Sequence, residues 1–135
     1  MDEPLVSEPL VRATGLDHVV LLVSDPEVSV EWYRRVLGLQ PERLDEWRAG
    51  DVLFPSVRLD ATTVIDLLAG GRDGTNVDHM AVVVADVDLD ALAASGDVDV
   101  VAGPADLWGA QGYGRGLYIR DPDGHTVELR VYPSS

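Results

Sequence analysis

Two stretches of the chain carry the same run of apolar and polar positions. Residues 15–25 read GLDHVVLLVSD and residues 76–86 read NVDHMAVVVAD. Aligned, Asp17, His18, Val23 and Asp25 fall on Asp78, His79, Val84 and Asp86, a spacing of 61 (79 − 18 = 61). The far ends also correspond. VIDLL at 64–68 falls on TVELR at 126–130, with Asp66 and Glu128 separated by 62 (128 − 66 = 62). Two copies at so long a period do not make a solenoid; they read as two similar modules of one domain.

The pattern inside each copy predicts its elements. A Val- and Leu-rich run bounded by Asp17 and by Ser24-Asp25-Pro26 predicts a strand over 17–24. Asp25 suits a helix N-cap and Pro26 the first helical position. Val28, Trp32, Tyr33, Val36 and Leu37 recur at helical spacing, and Gly38 supplies the stop. Strands are expected near 39–46, 51–60 and 62–69, and Gly70 to Gly74 is a linker. The second copy predicts a strand at 78–85, a short helix at 87–95 ended by Gly96, and strands near 98–102, 115–120 and 125–132. Asp121-Pro122-Asp123-Gly124 has the chemistry of a hairpin turn. The scheme is βαβββ twice. It describes an α+β domain over 14–135, with modules at about 14–72 and 76–133, preceded by an arm over 1–13.

Composition narrows the function classes. A chain of 135 residues, 46% apolar and 25% charged, suits one soluble globular domain. No apolar run has membrane-spanning length, so no membrane partner is expected. The acidic start MDEPLVSEPLVRATG lacks the marks of a signal peptide, so the expected compartment is the cytoplasm. With no cysteine, disulfides and thiolate metal sites are excluded. The net charge is −14, and all ten basic residues are Arg. The lack of a basic face argues against a nucleic-acid partner, and the lack of lysine excludes Schiff-base chemistry. The acidity itself reads as solubility.

The candidate chemistry lies in the repeat. The chain has three histidines, and two of them, His18 and His79, hold the same position of the repeated strand. Alternation places His18 with Val20 and Leu22, and His79 with Ala81 and Val83. A polar ring on an otherwise apolar face needs a partner. Asp66 and Glu128 are single acids inside apolar strand runs, where an unpaired carboxylate is costly to bury. One divalent cation would satisfy all four. Two imidazoles and a carboxylate suit non-heme Fe, and also Mn, Ni or Zn. The alternative is two independent His–carboxylate pairs, one per module. His125, in the DPDGH turn, reads as a turn residue. Trp47, Phe54, Trp108 and Tyr113 read as core or interface aromatics.

DHVVLLVSD with the following WYRRVLGL helix, then DHMAVVVAD, then GLYIRDPDGHTVELR, resemble the vicinal oxygen chelate superfamily of glyoxalases, bleomycin resistance proteins and extradiol dioxygenases. The resemblance covers nearly all of 15–132, and RDPDGHTVEL is its most specific part. It implies paired βαβββ modules forming a U-shaped mixed sheet around a divalent metal, commonly in a homodimer. It places the metal positions on His18, Asp66, His79 and Glu128. Asp66 departs from the family pattern, which usually has Glu, His or Gln there. Being one methylene shorter, it is left open as ligand, base or hydrogen-bond acceptor. The implied activity is glyoxalase-like lyase or isomerase chemistry on a small substrate chelated through adjacent oxygens, with Asp66 and Glu128 as catalytic carboxylates. Tyr118 stands where fosfomycin-type thiol transferases place a tyrosine, although Gly116 replaces their serine. Arg115 is a candidate contact for an anionic substrate. A dioxygenase would want a further histidine, and only His125 remains. The alternative is an antibiotic resistance protein, either such a thiol transferase or a metal-free bleomycin-type dimer that holds a cationic drug.

Overall fold

The computed structural model describes residues 14, 16–71, 74, 77–109 and 111–133; the expected arm over 1–13 lies outside them. The first module runs β1 (His18–Val23), α1 (Pro26–Leu37), β2 (Gln40–Glu42), α2 (Leu44–Arg48), β3 (Ser56–Asp60) and β4 (Thr63–Ala69). The second runs β5 (Met80–Val83), α3 (Leu89–Ser95), β6 (Asp99–Gly109), β7 (Gly112–Arg120) and β8 (Thr126–Val131).

Each module folds its strands into one four-stranded mixed sheet, in the orders β1-β4-β3-β2 and β5-β8-β7-β6. The first strand of each lies parallel to the last, and the remaining pairs are antiparallel. The repeat in the sequence is therefore a repeat of topology, and the fold is α+β. Register carries it to single residues. Asp66 sits opposite Val20 and Ser56; Glu128 sits opposite Ala81 and Tyr118.

Helix α1 forms where its end signals predict. Asp25 accepts from the Glu27 N–H at 3.0 Å, and Gly38, at φ 70, donates its N–H to the Arg34 carbonyl at 3.0 Å. Glu27 in the first turn and Arg34 and Arg35 in the last complement the helix dipole. Its inner face differs from the expected stripe. Val28 is exposed, while Ser29 and Val30 are buried beside Trp32 and Tyr33. The inward face is rotated from the expected stripe, and the buried Ser29 hydroxyl finds Asp123 there.

One core spans both modules. Val23, Tyr33, Val57 and Leu67 of the first join Leu117, Ile119 and Val127 of the second, all fully buried. The β7–β8 turn fastens them. Tyr33 donates its hydroxyl to Asp121 Oδ2 at 2.9 Å. Asp123 accepts from the Ser24 N–H at 2.8 Å and the Ser29 hydroxyl at 3.4 Å. Among the described residues, no helix is long and apolar enough to cross a membrane.

Three strand expectations differ from the fold, and of the one over 51–60 only Ser56–Asp60 forms a strand. Only 40–42 of the expected 39–46 strand is extended. Arg43 turns the chain at φ 59, and Leu44–Arg48 is helical, with Asp45 and Glu46 in its first turn and Arg48 bonded to Glu27 at 2.5 Å. The strand expected at 98–102 instead continues to Gly109. Gly103 and Pro104 sit in a register shift between Ala102 and Ala105, so the pair marks a bulge and not an end.

Candidate functional site

Strand alternation gives each sheet a core face and an open face. On β1, Leu21 and Val23 enter the core, whereas His18, Val20 and Leu22 are exposed. At β5, Val82 enters the core, and His79, Ala81 and Val83 are exposed. The histidines thus stand on open sheet faces, and the acids beside them are buried.

In the second module, Glu128 is 4% exposed and turns Oε1 toward His79 Nε2, 3.3 Å away. The other ring nitrogen of His79, Nδ1, donates to Asp78 at 2.7 Å. Tyr118 packs edge-on to the His79 ring, with centroids 5.3 Å apart. Burial, and then the charge of Glu128 and a hydrogen bond to it, hold the Tyr118 phenol above its ordinary pKa. The second oxygen of Glu128 is held by the buried Arg130 guanidinium. Arg130 also donates to the Leu107 carbonyl at 2.8 Å and to the Tyr132 hydroxyl at 3.2 Å.

The first module repeats the plan with smaller parts. Asp66 is 7% exposed and accepts from the Ser56 hydroxyl at 2.6 Å. His18 donates Nδ1–H to Asp17 at 2.7 Å. That hydrogen bond raises the His18 pKa above its ordinary value, and the charge of Asp66 adds to the effect. A carboxylate only accepts, so both Asp–His contacts fix the proton on Nδ1 and leave Nε2 with the lone pair in the neutral ring.

The structure brings His79, Glu128 and Tyr118 into one group. It sets His18 near Asp66 in a second group. It does not bring the two groups together: among the described residues, no three His, Cys, Asp or Glu side chains converge so as to hold a metal ion. Arg115 belongs to neither group. It stands on the α3 side of β7, paired with Asp90 at 2.8 Å and Asp106 at 3.4 Å. His125 is more than a turn residue, since its ring donates to the buried Asp121 at 2.6 Å. Trp108 and Tyr113 pack edge to face, 5.3 Å apart, and remain largely exposed.

Ser56 and Arg130 escaped sequence reasoning as partners of the two acids. Ser56 becomes legible only when strand register is known; Arg130, two residues after Glu128, shares its strand face by alternation alone. Asp17 and Asp78 were visible as a repeated Asp-His pair, but their role as acceptors for the rings was not. The donor set fits a divalent cation: two imidazoles with Nδ1 anchored by a carboxylate and Nε2 left to coordinate, each beside a buried acid.

A family model described as the Glyoxalase/Bleomycin resistance protein/Dioxygenase superfamily matches residues 15–129. The chain is 28% identical over 123 residues to Virulence protein STM3117 of Salmonella typhimurium, covering 87% of this chain and 83% of that one. A crystal structure of the same virulence protein superposes with a TM-score of 0.71 at 22% identity, over 91% of this chain and 100% of that chain. An integron cassette protein from V. cholerae gives a TM-score of 0.69 at 27% identity, over 92% and 99% of the two chains. A glyoxalase/dioxygenase from Nostoc punctiforme shares the fold, with a TM-score of 0.65 at 22% identity over 99% of both chains.

Proposed function

The chain belongs to the Glyoxalase/Bleomycin resistance protein/Dioxygenase superfamily, and we propose that it is a metal-dependent, glyoxalase-like enzyme acting on a small substrate chelated through adjacent oxygens. His18, His79 and Glu128 would hold the divalent ion, Fe, Mn, Ni or Zn. The observation that carries this reading is the duplicated imidazole. At both equivalent positions an aspartate accepts from Nδ1–H at 2.7 Å and leaves the Nε2 lone pair to bind a metal; at His79 that nitrogen lies 3.3 Å from the buried Glu128. When bound, the ion supplies Lewis-acid stabilisation of charge developing on the chelated oxygens.

The chain's own residues then divide the remaining work. Tyr118, a phenol that is protonated at neutral pH and packs edge-on to the His79 ring, is placed to donate a hydrogen bond to substrate oxygen. Asp66, steadied by the Ser56 hydroxyl, is the carboxylate placed to take a proton. Val20, Leu22 and Val83 give the open faces an apolar lining. Because one chain holds the donors as two separate groups, we assign a homodimer in which a second copy covers these faces and completes each site. The test is elemental analysis of untagged protein, wild type beside a His18→Ala, Glu128→Ala double variant. The reading expects near-stoichiometric metal in wild type only; equal metal in both would remove it.

A second reading has its own observation. Arg130 already neutralises Glu128 without a metal, and the chain carries −14. Both suit a metal-free resistance protein that sequesters a cationic antibiotic. Wild type free of metal under Fe, Mn, Ni and Zn loading would put this reading first.

A further inference from the structure

We propose that Arg130 is a built-in counter-ion for Glu128: it stands in for the metal's charge when none is bound and lowers the affinity of the loaded site. This rests on the metal-site reading above. The two modules provide the comparison. Asp66 and Glu128 hold equivalent places, yet two residues further along the first module has Leu68 and the second has Arg130. Asp66 is held by a neutral hydroxyl, that of Ser56. Glu128 is held by a guanidinium buried to the same 4% exposure as itself.

The arginine is held in place for this role. Its Nη2 is fixed by the Leu107 carbonyl, its Nε by the Tyr132 hydroxyl, and its guanidinium lies 5.0 Å from the centre of the Tyr132 ring. Gly116, its cross-strand neighbour, leaves the room. A Cβ there would lie 2.7 Å from Leu107 Cδ1 and 3.3 Å from Glu128 Oε2, pressing on the carboxylate that Arg130 grips. The two oxygens of Glu128 are thereby divided. Oε2 belongs to Arg130, and Oε1 faces His79 Nε2. Glu128 can then offer a cation one oxygen of a pair whose net charge is already zero. Arg130 acts through Glu128, so it is a positioning residue.

The test uses the full chain in two states. In chelator-treated protein, Arg130→Leu leaves the buried Glu128 carboxylate without its guanidinium counter-ion, and the melting temperature should fall by roughly 10 °C. Adding Glu128→Gln should recover much of that loss, because the stranded charge is gone. A double variant no more stable than Arg130→Leu alone overturns the counter-ion. In the second state, Zn²⁺ and Mn²⁺ are titrated into wild type, Arg130→Leu and Arg130→Lys. Loss of the fixed positive charge should raise affinity about tenfold or more in the leucine variant, with the lysine variant close to wild type. A merely structural arginine predicts the reverse order, and unchanged or weaker binding by Arg130→Leu overturns the proposal. If the stability coupling holds but neither wild type nor Arg130→Leu takes up metal, the metal-site reading falls and the counter-ion stands.

Discussion

The bond from Tyr33 to Asp121 is the most direct test of how the two modules are joined. Tyr33 lies on α1 of the first module and Asp121 in the β7–β8 turn of the second; both side chains are buried, and the contact is 2.9 Å. Tyr33→Phe removes only the hydroxyl. A hydrogen bond to a charged acceptor contributes about 1.5–3 kcal/mol. Asp121 keeps the N–H donors of Asp123 and His125 and the His125 ring, so the loss should be near the middle of that range, about 2 kcal/mol. An unfolding entropy of about 2.1 cal/mol/K per residue converts this to a fall of roughly 7 °C in melting temperature. Urea unfolding followed by tryptophan fluorescence measures the free-energy loss, and thermal unfolding the fall in melting temperature. The pH dependence has a definite sign. Burial pushes the Asp121 carboxyl up, but the His125 ring and backbone and the Tyr33 hydroxyl outweigh it and hold the pKa below its usual range. A depressed carboxylate contributes stability that is present above its unfolded pKa and lost as pH falls through the folded one. The gap between wild type and variant should therefore be complete at neutral pH and narrow in acid. A variant within about 0.5 kcal/mol of wild type at pH 7, the usual scatter of a surface change, would refute the inter-module bond.

Two further substitutions probe the halves of the site. Asp17→Asn should lower the His18 pKa, so that the ring loses its charge at lower pH than in wild type; ring-proton NMR reads this, and an unmoved titration would remove the Asp17 hydrogen bond as its cause. Asp66→Asn should keep bound metal but lose turnover if Asp66 is the base; complete loss of metal would make it a ligand instead.

Much of the fold was legible because its signals are local. The Asp25-Pro26 start and Gly38 stop of α1, and the DPDG turn, work within a few residues and appear as read. The repeat revealed the pairing of modules, since equivalent strands need equivalent apolar runs. The rotated face of α1 was not legible, because the partner of the inward Ser29 hydroxyl is Asp123, 94 residues away. The bulge at Gly103-Pro104 was not legible, because only the pairing with β7 shows that the strand continues past it to Gly109. The same division holds at the site. His18, His79, Asp66 and Glu128 stand out as polar residues in apolar runs. What each acid touches depends on register with another strand or on alternation along its own, so Ser56 entered only with the structure, and Arg130, visible in the sequence as a cation near the site-bearing strands, became the partner of Glu128 only there. Arg115 was placed by nearness in sequence to the site-bearing strand, and alternation sends it to the opposite face.

On the proposed reading, two half-sites, one bearing His18 and the other His79 and Glu128, complete a single metal site between copies of the chain. Subunit complementation tests it most directly. His18→Ala and His79→Ala proteins, each unable to hold metal alone, would be unfolded together, refolded as a mixture and analysed for metal. Shared sites predict that mixed dimers regain one intact site each, so that metal returns in the mixture and in neither parent. A mixture as empty as its parents, with mixed dimers shown to form, would contradict a site shared in this way.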